Sequence, residues 1–68
     1  MASTGIIVRK QRRALKLSRA QLAKRLKVTY LQVYRIETGA VRLQPRAVSA
    51  WARELAIDES ALLRSLAA

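Results

Sequence analysis

Cysteine, histidine and phenylalanine are all absent from this chain of 68 residues, which has one proline, one tryptophan, two tyrosines and two glycines. Without cysteine there is no disulfide, and without cysteine or histidine the common zinc-ligand sets cannot be assembled. The same absences, together with the lack of a glycine-rich phosphate loop, leave no nucleophile-and-base set, so neither an enzyme nor a metal or cofactor is expected. Acid is scarce as well, for none precedes Glu37. No stretch approaches the ~20 apolar residues of a membrane span. Ile6, Ile7 and Val8 stand ahead of the basic run Arg9, Lys10, Arg12 and Arg13, which is the wrong order for a signal peptide. Strand alternation and Asn-Gly or Asp-Gly hairpin signals are missing too, so the fold class expected is all-α.

What the chain does have is Ala, Leu, Val and Ile in quantity at helical spacing. A single domain over residues 1–68 is expected, built of five short helices around one small core. The first is expected from Ser3 or Thr4 to Lys16, with Val8 and Leu15 facing inward. Pro45 suits the first position of a fourth helix, whose inward stripe is Val48, Trp51, Ala52 and Leu55. Ile57 plugs the next turn, Asp58 caps a fifth helix, and Ala61, Leu62 and Leu66 form a last apolar strip. Leu62 and Leu63 are expected in the core, whereas Leu66 is open to either a core or a dimer role.

Between these lies the most informative segment, residues 17–39. Ser18 caps one helix whose Leu22, Ala23 and Leu26 share a face, Lys27 and Val28 make a tight break, and Thr29 caps the next. Val33 and Ile36 point that helix inward, and Gly39 stops it in the left-handed conformation. Two short helices joined so tightly form a helix-turn-helix. Residues 1–36 also carry ten Lys or Arg and no acid, while residues 37–68 carry four Arg against Glu37, Glu54, Asp58 and Glu59. All of the net charge of +10 thus resides in the half containing the tight turn, the footprint of a polyanion binder. A basic amphipathic helix over residues 6–17 lying on lipid is the lesser alternative, because the remainder has a complete globular pattern.

Val8-Arg9 with Arg12, Leu17-Ser18 with Leu22-Ala23, Val28-Thr29 with Val33, Ile36-Glu37 and Gly39, then Pro45, Leu55 and Leu62-Leu63, follow one another in the order and spacing of a known family. The chain resembles the lambda-repressor and Cro-like helix-turn-helix domains of the xenobiotic-response-element type over nearly its whole length. It departs from that pattern at Arg19, where the family usually carries Gln, and at Lys16, where it often carries Gly. The resemblance implies a compact five-helix DNA-binding domain and a partly buried ion pair between Arg12 and Glu37. It also implies that the third helix enters the major groove.

On that basis Tyr30, Leu31, Gln32 and Arg35 are the expected base readers. Arg35 suits guanine O6 and N7, Gln32 adenine N6 and N7, and Leu31 thymine methyls. Arg19, Gln21, Thr29, Tyr34, Thr38, Arg42, Gln44 and Arg46 are expected at phosphates, although packing on neighbouring helices is an equal alternative for Tyr34. The partner expected is double-stranded DNA carrying a palindromic operator, bound by a homodimer with no small-molecule ligand. The role expected is a transcriptional repressor or autoregulator of prokaryotic, phage or plasmid origin, cytoplasmic and nucleoid-associated. An antitoxin-like or accessory interaction module, and a sequence-independent DNA coater, are the alternatives.

Overall fold

The computed structural model describes residues 3–67. Each helix begins where a short polar side chain offers an acceptor to free backbone donors. Ser3 Oγ accepts the Ile6 N–H at 3.3 Å and opens α1 (Thr4–Ala14). Ser18 opens α2 (Arg19–Leu26), and Thr29 opens α3 (Tyr30–Thr38). Asp58 Oδ2 accepts the Ala61 N–H at 3.1 Å ahead of α5 (Glu59–Ala67). The exception is α4 (Val48–Leu55), which is entered through a single 3-10 turn, Pro45–Ala47.

The ends share a second device. Lys16, Lys27 and Ala56 all take left-handed conformations, with φ of 58°, 59° and 55°. Each is followed by an apolar residue whose N–H reaches back five positions: Leu17 to Arg12, Val28 to Ala23, Ile57 to Ala52. Leu17 is buried, and Val28 and Ile57 pack against the core, so every reversal is closed by backbone bonds and sealed by a side chain.

These reversals fold α2 and α3 against each other, lay α1 across α3, and set α4 behind α2 with α5 on α4 and α1. The core at their centre includes the fully enclosed Val8, Leu22, Val33, Leu55 and Leu62, with Trp51 beside them. Val48, Trp51, Ala52 and Leu55 all face inward as their spacing requires.

Several expectations need correction. α1 stops at Ala14, not Lys16, because the left-handed backbone at Lys16 has already turned the chain. Leu15 is consequently 40% exposed. Pro45 begins the 3-10 turn and not α4 itself, since its fixed φ and missing N–H suit the tighter turn equally well. Leu62 and Leu66 belong to the core, whereas Leu63, one position round the helix, is 48% exposed. Leu43, in a loop with no periodicity to announce it, is 2% exposed and part of the core.

Candidate nucleic-acid interface

α2 and α3 form the site, and local bonds set both. Ser18 Oγ accepts the Gln21 N–H at 3.0 Å, while Gln21 Oε1 accepts the Ser18 N–H at 2.8 Å, a reciprocal pair that closes the start of α2. Thr29 Oγ1 accepts the Gln32 N–H at 3.1 Å at the start of α3. Only Lys27, Val28 and Thr29 separate the two helices.

The orientation of α3 follows from its buried residues. Val33, Ile36 and Glu37 are its inward face. At about 100° per residue, Leu31 and Arg35 then lie diametrically outward, with Tyr30 and Tyr34 on one flank and Gln32 on the other. All five are exposed, Tyr30 at 52% and Leu31 at 48%. Among the described residues, the side chains of Leu31, Gln32 and Arg35 make no hydrogen bond or ion pair. The side chains of Leu31, Gln32 and Arg35 are therefore free on the outward side of α3, with Tyr30 on the flank beside Arg19.

Beneath that surface lies a buried charge cluster. Arg12 Nε donates to Glu37 Oε2 at 2.6 Å and Arg12 Nη2 to Glu37 Oε1 at 3.1 Å, a bidentate pair, while Arg12 Nη1 donates to the Leu17 carbonyl at 2.7 Å. Glu37 Oε1 accepts a further bond from Arg19 Nε, also at 3.1 Å. The Glu37 side chain is 1% exposed, and no buried side-chain polar atom among the described residues lacks a partner. One carboxylate thereby joins the end of α1, the start of α2 and the inner face of α3. The Arg19 guanidinium lies 5.2 Å from the centroid of the Tyr34 ring. Proximity to the Tyr30 hydroxyl first and to the Glu37 carboxylate second raises the Arg19 pKa above its already high value.

The expected phosphate contacts differ in how far local bonds already engage their donors. Gln21 spends its carbonyl oxygen on the cap but retains its amide donors, and Thr29 retains its hydroxyl proton. Gln44 and Arg46 are exposed beside the 3-10 turn. Thr38 instead donates its hydroxyl to the Arg35 carbonyl at 3.2 Å. Arg42 is turned toward the carbonyl of Leu66 at the end of α5, in an open cleft of about 550 Å³ that Ser3, Thr4 and Leu43 also line. That contact engages one guanidinium nitrogen, Nη2, of an exposed side chain. Arg19 gives its Nε to Glu37.

The Arg19 contact is the feature that residue spacing did not reveal. Its only signal is that Tyr34 and Glu37 are three apart in a helix, so a cation bonded to one passes over the other. Gly5 was equally silent. A Cβ there would stand 2.5 Å from the Ile36 carbonyl oxygen and 2.6 Å from that of Glu37, so a bare backbone lets α1 approach the end of α3.

Two tightly joined helices, the second presenting a free polar and apolar face above a buried ionic brace, define a helix-turn-helix DNA-binding domain. The helix-turn-helix family model matches residues 8–62, most of the chain. The protein belongs to that family, in its lambda-repressor and Cro-like group of xenobiotic-response-element type. No curated protein and no solved structure gives a match. Members of this family bind DNA and are typically not enzymes. Among the described residues no helix is long and apolar enough to cross a membrane.

Proposed function

We propose that the protein is a sequence-specific regulator of transcription, a repressor or autoregulator that reads a palindromic operator as a homodimer. The observation that carries this is the outward face of α3, where the side chains of Leu31, Gln32 and Arg35 stand exposed and make no hydrogen bond or ion pair among the described residues. Arg35 supplies a bidentate donor for guanine, Gln32 a donor and acceptor for adenine, and Leu31 an apolar surface for thymine methyls. Tyr30 adds a ring or a hydroxyl at the flank. Gln21, Thr29, Gln44 and Arg46 surround this face with donors for phosphates, which fix the register without reading sequence.

One such helix reads only a few base pairs, so two copies on symmetric half-sites give the selectivity a single copy lacks. Leu63 is the residue of α5 we assign to that pairing, because Leu62 and Leu66 are buried in their own core while Leu63 is 48% exposed. Prokaryotic, phage or plasmid origin and a place in the cytoplasm on the nucleoid accord with this role.

Selection of binding sites from random duplexes tests the proposal. The wild-type protein is expected to enrich one two-fold symmetric motif. Arg35→Ala and Gln32→Ala are each expected to relax preference at particular positions, with about 1–3 kcal/mol lost on the best site. Failure to enrich any motif replaces the specific regulator with a sequence-independent DNA coater.

A further inference from the structure

We propose that Arg19 is a positioning residue, which braces the Tyr34 flank of the reading helix in place and does not anchor a phosphate. The inference rests on the DNA-reading role of α3 and adds a residue of α2 to it. Three observations carry it. Arg19 Nε is bonded at 3.1 Å to Glu37 Oε1, on a side chain that is 1% exposed and that already takes one bond from Arg12 at each carboxylate oxygen. Its guanidinium carbon lies 5.2 Å from the Tyr34 ring centroid, inside the roughly 6 Å over which a cation is attracted to an aromatic face. Its side chain is only 25% exposed, although it stands at the first position of a helix.

Swinging Arg19 out to a phosphate breaks the Glu37 bond and uncovers the ring together, so the resting geometry opposes the move. Held in place, the planar guanidinium limits the rotamers open to Tyr34, a residue that is 43% exposed even with Arg19 beside it. Tyr30 lies one turn earlier on the same stripe, so bracing one ring narrows the space of the other. The consequence for recognition is that the Tyr34 hydroxyl meets DNA from a position set by α2. The cost of placing it is met on folding and not on binding.

Two measurements test this. In the free protein, ring-proton NMR resonances of Tyr34 are expected to shift in Arg19→Ala and to stay put in Arg25→Ala. Arg19→Gln, which retains a donor for Glu37 but neither the charge nor the stack, serves the same comparison if alanine prevents folding. Unmoved Tyr34 resonances overturn the proposal, and since no DNA is present this failure is distinct from failure of the DNA-reading role. On the selected operator, Arg19→Ala is expected to weaken binding at least about twofold in the wild-type background and to have no further effect beside Tyr34→Ala. The salt dependence is expected to be unchanged. Additive losses, or a salt slope reduced by about one, place Arg19 on a phosphate and overturn the proposal.

Discussion

Glu37 is where three helices meet, because it is the single acid among the first 40 residues and its carboxylate takes bonds from both Arg12 and Arg19. Removing a partner from a buried ion cluster leaves the remaining charges desolvated without compensation. Glu37→Gln is therefore expected to cost about 3 kcal/mol, read as a lower denaturation midpoint, with the selected DNA motif unchanged. Altered base preference with unchanged melting would assign Glu37 to the interface instead. Gly5 acts at the same scale by what it lacks. Gly5→Ala places a methyl against two carbonyl oxygens of α3, so α1 has to move, and a loss of roughly 1–3 kcal/mol is expected in thermal unfolding. A neutral result would mean that the α1–α3 contact yields freely.

At the scale of the element, starts and stops each repeat one device. Ser3, Ser18, Thr29 and Asp58 each cap a helix start, and three of the reversals put Lys16, Lys27 and Ala56 where a side chain crowds the following carbonyl. The apolar residue after each anchors the turn to the core and holds the strained residue in place. Lys16→Gly relieves that strain without disturbing the Leu17 anchor, and it is expected to stabilise the domain by roughly 0.5–1 kcal/mol, seen as a raised melting temperature. At Gly39, whose φ is already 82°, any side chain is expected to act in the opposite sense.

Across the whole molecule, charge and packing are separated. Two of the ten bases before Glu37 turn inward to it, while Arg9, Lys10, Arg13, Lys16, Lys24, Arg25, Lys27 and Arg35 remain exposed. The resulting field favours polyanions regardless of sequence, and it is expected to make DNA affinity fall steeply with salt, at a slope of about −0.9 per phosphate neutralised. Titrations at several salt concentrations check this, and a flat response would remove the electrostatic basis of binding. The selectivity we propose has a different origin, in the side chains on the outward face of α3.

Local chemistry in the chain was enough to define the caps, the tight break at Lys27 and Val28, and the inward stripe of α4, because each depends on residues within a few positions of one another. The outward set on α3 followed in the same way, from helical periodicity and the burial of Val33 and Ile36. Other features depended on partners distant in sequence. Nothing near Leu43 marks it as core, Leu62 and Leu63 are adjacent leucines with opposite fates, and Arg42 is turned to the end of α5. Arg19 is the sharpest case, for its position at the start of α2 suits a phosphate contact on local grounds. Only the packing of α1, α2 and α3 brings the Glu37 carboxylate within 3.1 Å of it, and a buried carboxylate outcompetes solvent for a nearby cation because its own desolvation is otherwise uncompensated.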